Sequence, residues 1–179
     1  MKNRKQSRGF SLVELVATLV LIGIISAVVV PRFVGSTSFN PIIVRDQLIA
    51  MARSAQQNAL GRADVVMTVT PNPTGTEVTL TVSDGGGVID EATAPLNDVS
   101  LSGDINITAS CAATPGADAI SNANPLTIAF GELGDLAVSG VTGSTGAVLS
   151  ALRICINNTA VYSVCVSPSG FAYAGDCDA

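Results

Sequence analysis

The chain contains no histidine. Without imidazole it lacks the common general base of neutral pH and cannot assemble a Ser-His-Asp triad. It also lacks a Gly-x-Ser-x-Gly turn and a Walker phosphate loop, so no enzymatic activity is expected. Its four cysteines include no Cys-x-x-Cys pair, and with no histidine beside them a zinc site is a poor reading; no cofactor is expected. Aromatic residues make up 4% of the chain, and no sugar-stacking platform stands out. Basic residues are scarce beyond the first few positions. Four of the nine, Lys2, Arg4, Lys5 and Arg8, precede Gly9. The remainder carries five (Arg32, Arg45, Arg53, Arg62, Arg153) against fourteen acidic residues, a balance of −9. That balance excludes the basic face that nucleic acid requires, and it suits a surface facing outward into solution.

What the chain does have is one long apolar run, Leu15 to Val30, "LVATLVLIGIISAVVV", interrupted by Thr18, Gly23 and Ser26. As a helix it is ~24 Å long, and with Phe10 to Val13 it approaches the ~30 Å hydrocarbon core of a bilayer. The basic residues on its N-terminal side place residues 1–9 in the cytoplasm and the bulk of the chain across the membrane. An ordinary secretory signal peptide, cut near Ser26-Ala27, would share this outline, as would an uncleaved signal anchor. Glu14 argues against the first. A carboxylate in an apolar membrane segment costs several kcal/mol (~2.5–3.5 on insertion scales) unless a partner neutralises it.

The stretch "RGFSLVELVATLVLIGIISAVVVPRF" resembles the N-terminus of type IV prepilins and of type II secretion pseudopilins. The likeness lies in a short basic leader, Gly9 before the cut, Phe10 as the new N-terminus, Glu14 in the fifth processed position, an apolar helix, and Pro31 at the family's helix bend. The resemblance implies cleavage after Gly9 by a prepilin peptidase and N-methylation of Phe10. It also implies assembly of the apolar helices, with other pilin subunits and an inner-membrane platform, into a helical filament. The physics of Glu14 agrees. Cleavage creates an α-ammonium on Phe10 one turn away, and that amine, on the same or a neighbouring subunit, is a natural partner that would also set axial register. Gly9 would admit close approach of a protease to an extended segment.

Beyond Pro31 the chain changes character. "RFVGSTSFNP" reads as a loosened helix, and Asn40 and Pro41 read as the N-cap and first residue of a new one. Leu48, Ala52, Ala55 and Ala59 share a face at helical spacing, with Gly61 as the stop. From residue 63 onward the chain alternates in short runs ("DVVMTVT", "TEVTLTVS", "VSLSGDINITAS", "PLTIAFGEL", "ALRICINN", "VYSVCVS", "GFAYAG") punctuated by proline and glycine. The fold class is therefore α+β: a long N-terminal helix, its first half transmembrane and bent or interrupted near Pro31 to Pro41, packed on an antiparallel sheet. That matches the pilin fold, which the resemblance implies. Its expected parts are a leader at 1–9, a transmembrane and assembly helix at 10–31, the second half of the helix at 32–62 and a β-rich head at 63–179.

Four cysteines in a translocated head admit three disulfide pairings. The resemblance favours Cys165–Cys177, closing the C-terminal loop as many pilins do, which leaves Cys111–Cys155. Asp84, Asp90 and Glu91 surround a glycine-rich segment, "DGGGVIDEA", and are weak calcium candidates whose spacing fits no EF-hand. The sequons at Asn106 and Asn157 read as chance matches. "PLTIAFGELGDL" and the late "ALRICINN" look most like a minor pilin of an MSHA-like type IV pilus, acting in pilus biogenesis and attachment. The alternatives are a minor pseudopilin that recruits exoproteins and, in another class, a monomeric membrane-anchored binding module. The expected location is the inner membrane with a periplasmic head, then a surface pilus or a periplasmic pseudopilus.

Overall fold

The computed structural model describes residues 11–34, 39–105, 107, 111, 118–147, 150–158 and 160–177, with the side chains of 27–34 excepted. The chain forms two compact units, Met1–Ser36 and Thr37–Ala179. In the first, helix α1 spans Leu12–Val34 and continues through the Pro31 backbone. The second begins with α2, Asn40–Ala59. The break between the helices therefore falls after Val34, and residues 35–38 lie outside the described residues. Of the segment expected at 32–62, residues 32–34 belong to α1, and Asn40–Ala59 form a second helix in the unit that holds the head.

Helix α2 forms because its apolar and small residues recur at helical spacing. Pro41, Val44, Leu48, Met51, Ala52, Ala55 and Ala59 are all buried. Val44 and Met51 extend the stripe beyond the four positions read from the sequence. Asn40, expected as the N-cap, is instead the first helical residue, and Phe39 precedes it in a right-handed conformation with no side-chain cap. Asn40 and Pro41 are both buried, so packing on the head, and not a capping oxygen, sets the start. The stop is where it was read. Gly61 has φ +75°, and its N–H bonds to the Glu132 carbonyl at 2.9 Å.

The head carries two antiparallel sheets. In the first, the strands are β1 (Val65–Pro71), β2 (Glu77–Asp84), β3 (Gly87–Pro95), β6 (Leu126–Phe130), β7 (Val138–Val141) and β8 (Gly146–Ala147), in the order β3-β2-β1-β6-β7-β8. In the second they are β4 (Ser100–Asp104), β5 (Asp118–Ile120), β9 (Leu152–Asn157), β10 (Val161–Val166) and β11 (Ala172–Ala174), in the order β11-β10-β9-β4-β5. Alternation fixes the register, because a slip of one residue would turn every apolar side chain outward. Met67 thus sits between Val82 and Ile128, and Val69 between Leu80 and Leu126. All of these are fully buried. Leu152, Ile154 and Ile156 supply the core from the second sheet.

Helix α2 packs against strands of both sheets. Arg53 ties it to β11: its Nε donates to the Ala172 carbonyl at 3.0 Å, and its guanidinium lies 4.8 Å from the Phe171 ring centroid. Gln56 Nε2 donates to the Ser169 carbonyl at 2.7 Å. The α+β class read from the sequence is present, and it is compatible with a pilin fold. Four strands were not read: β3, β5, β7 and β8. The last three are only two to four residues long and pair at sheet margins.

Candidate functional site

The N-terminal unit shows its chemistry along α1. Glu14 stands in the first turn, where the backbone N–H groups of Glu14 and Leu15 both reach the Ser11 carbonyl, at 3.0 and 3.2 Å. An acidic side chain in a first turn is favoured by the helix dipole. Among the described residues no cation lies within ion-pair distance of Glu14. Gly9 and Phe10, the expected cleavage and methylation positions, lie outside the described residues, as does the side chain of Pro31.

Around Glu14 the helix is apolar on every side. Leu12, Val13, Leu15, Val16, Leu19, Val20, Leu21, Ile22, Ile24 and Ile25 are exposed, from 49% to 80%. Thr18 satisfies its hydroxyl internally on the Leu15 carbonyl at 2.9 Å. A helix that is hydrophobic all round must be covered, by lipid or by other protein. Among the described residues no helix is long and apolar enough to cross a membrane. The apolar run continues from Ala27 to Val30, whose side chains lie outside them.

In the head, the weak calcium candidates do not converge. The segment read as a glycine-rich loop is mostly strand β3, paired with β2 along its length through a bulge at Val82/Ser83. Asp90 and Glu91 are adjacent on that strand, so they point to opposite faces of the sheet. Asp90 accepts the Ser54 hydroxyl at 3.0 Å. Asp84 closes the turn before β3, accepting the N–H groups of Gly86 and Gly87 and facing Arg62 at 3.4 Å. Among the described residues no group of three potential ligands could hold a metal ion. A groove of about 570 Å³ runs past Asn72, Thr74, Leu96, Leu101, Ile120 and Asn122 with no charged side chain along it. Of the two sequons, Asn106, Thr108 and Thr159 lie outside the described residues.

Cys111 is bonded to Cys155, and Cys165 to Cys177. This is one of the three pairings open to four cysteines, and in it the C-terminal loop is closed. The same region holds a feature that the sequence reading passed over. Arg153 on β9 and Asp104 on β4 form an ion pair at 3.1 Å, with their side chains 5% and 7% exposed. The signal was available: an arginine inside the apolar strand "LRICI" cannot be buried without a carboxylate.

A family model for the prokaryotic N-terminal methylation motif matches residues 4–30. The matched stretch contains Gly9, Phe10 and Glu14 and stops one residue before Pro31. No curated protein and no solved structure matches the chain. The motif supports a type IV pilin-like prepilin and points to a structural subunit; it implies processing by a prepilin peptidase and assembly with other pilins.

Proposed function

We propose that the chain is a minor pilin of an MSHA-like type IV pilus. It would be held in the inner membrane by residues 10–31 until prepilin peptidase cuts after Gly9 and Phe10 is methylated. The observation that carries this reading is the coincidence of the methylation motif with an apolar helix exposed on every side and bearing one acid, Glu14. Such a helix is stable only when covered: by lipid before assembly and by neighbouring helices after it. Packing of one copy on the next in a heterologous, non-closing arrangement generates a helical fibre. Within the fibre the methylated amine of Phe10 neutralises Glu14, and the pair sets how far each subunit slides along the axis. The likeness of "PLTIAFGELGDL" and "ALRICINN" to minor subunits supports a role in initiating or decorating the fibre.

Mass spectrometry of filaments sheared from the cell surface tests this. The expected result is a chain beginning at Phe10, one methyl group heavier than its sequence, at a low ratio to another pilin. A processed chain confined to the periplasm would replace the reading with a pseudopilin. A chain that retains residues 1–9 would replace it with a membrane-anchored monomer.

A further inference from the structure

Three of the arginines beyond residue 37 hold a carboxylate: Arg45 pairs with Asp46, Arg62 with Asp84 and Arg153 with Asp104. Arg53 pairs with none among the described residues, although the chain from 63 onward has twelve acids and one base. It has a mount instead. Its Nε donates to the Ala172 carbonyl at 3.0 Å, and its guanidinium lies 4.8 Å from the Phe171 ring centroid. That ring is itself stacked with Tyr173, at 6.4 Å between centroids and 23° between planes. A guanidinium held through Nε and a ring face keeps its two Nη groups for a further partner, and that edge is the one that grips a carboxylate through two parallel bonds. The turn that carries Phe171 is fixed from below. Gln56 Nε2 donates to the Ser169 carbonyl at 2.7 Å, and a Cβ on Gly170 would strike the Gly134 carbonyl of the loop between β6 and β7. Glu132 and Asp135 on that loop are not within ion-pair distance of Arg53. Leu60, seven residues along α2 on the same face, is 61% exposed, and Phe171 is 49% exposed. A pre-set arginine among exposed aromatic and aliphatic side chains has the composition of an interface hot spot.

The other flank of α2 carries the complement. Strands β3 and β11 each end a sheet, and α2 packs against both. Ser54, next to Arg53 in the chain, turns to β3 and donates to Asp90 at 3.0 Å. On β3, Val88 and Glu91 stand opposite Ser83 and Thr81, so both lie on the face of the first sheet turned away from its core. Val88 is 63% exposed, and Glu91 forms no ion pair among the described residues. One flank thus offers a mounted cation beside apolar side chains, and the other an unpaired acid beside an apolar side chain. They do not pair within one head. We propose that Arg53 and Phe171 form a docking site for strand β3 of a second copy of this chain, with Glu91 on the guanidinium and Val88 against the ring and Leu60. A contact between two unlike flanks is heterologous, so it repeats from copy to copy without closing. It also covers β3, an edge strand whose outer backbone groups would otherwise be a template for wrong pairing. The inference rests on the lateral packing of copies already proposed and names one contact within it.

Photo-crosslinking tests this on the full chain, reconstituted in phosphatidylcholine vesicles where copies meet without any other pilin. One batch carries Gln57→benzoylphenylalanine, at an exposed position one turn beyond Arg53. The other batch is isotope-labelled and carries no probe, so a mixed adduct can form only between copies. The expected adduct joins residue 57 of the probe copy to the Gly87–Pro95 strand of the labelled copy, located by digestion and mass spectrometry. Arg53→Glu in the probe copy alone, or Glu91→Arg in the labelled copy alone, is expected to lower its yield roughly tenfold, because like charges then face each other. Both reversals together are expected to restore it to within about twofold, since the pair is re-formed with its signs exchanged. A folding defect in one copy is not repaired by a change in the other. Absence of the mixed adduct, an adduct only outside β3, either single reversal without effect, or a loss that the double reversal does not recover each overturns the docking. The mass and location of sheared filaments are read independently of these vesicles, so this contact and the filament reading fail separately.

Discussion

The two helices of this chain are of similar length and solve opposite problems. Helix α1 has 23 residues, and its described side chains are apolar on all sides and exposed. Helix α2 has 20 residues and hides one stripe, from Pro41 to Ala59, while Ile43, Asp46 and Arg53 face outward. The difference lies in what covers each. The α2 stripe is covered by strands of its own chain, so its small residues Ala52, Ala55 and Ala59 are matched to particular neighbours, and its rim is tied down by Arg53 and Gln56. The α1 surface needs a partner that is apolar but not sharply shaped, which lipid and other copies of the same helix both supply. On the proposed reading, the one acid, Glu14, gives α1 the specificity that its shape lacks.

This contrast can be broken by substitution. The largest expected effect is on assembly. Glu14→Ala should abolish or strongly reduce incorporation into sheared filaments while leaving the head folded, as judged by quantitative blotting and by protease resistance of the head. Normal incorporation would remove the register role of Glu14. The next effects concern the folding of the head alone, read from urea unfolding of the full chain in mild detergent. Asp104→Ala leaves Arg153 buried and uncompensated and should cost about 3–5 kcal/mol. Leu48→Ala empties a fully buried position on α2 and should cost about 2–5 kcal/mol, whereas Leu19→Ala on α1 should move the same transition by about 0.5 kcal/mol or less. If the two leucines cost the head the same, the helices are not distinct in the way described. Loss of the Cys165–Cys177 link, which spans 12 residues, should cost about 2–4 kcal/mol through the unfolded chain. The smallest effect belongs to Arg62→Ala, whose pair with Asp84 is largely exposed and is worth about 0–1 kcal/mol.

The α+β class, the stop at Gly61 and seven of the strand segments were legible because each rests on local pattern: helical spacing, alternation, and turn residues between runs. Strand β3 was not legible. "GVIDEATAP" has acids where an isolated strand would have apolar residues, and it pairs only because β2 beside it offers a full ladder and a bulge turns its charged end. The N-cap at Asn40 failed for a related reason, since a side chain suited to capping was spent on burial instead. Of the candidate site, the methylation motif and Glu14 were legible because they are contiguous. That Arg153 needs a carboxylate was legible in "LRICI", but which one was not, because the partners are 49 residues apart and meet only through the β4–β9 register.

By itself, the sequence determined what depends on neighbours along the chain: an apolar segment with one acid behind a basic leader, an amphipathic second helix, alternating strands, and an acidic stretch from 63 to 179 with a single basic residue. Tertiary structure decided what depends on neighbours across the fold. It set the two-sheet division, the strand that the acids disguised, which cysteines meet, and the burial of Arg153 against Asp104. The physical reason is range. Propensity and periodicity act within a few residues, whereas register, disulfide geometry and the desolvation of a charge are settled only when distant segments share one surface.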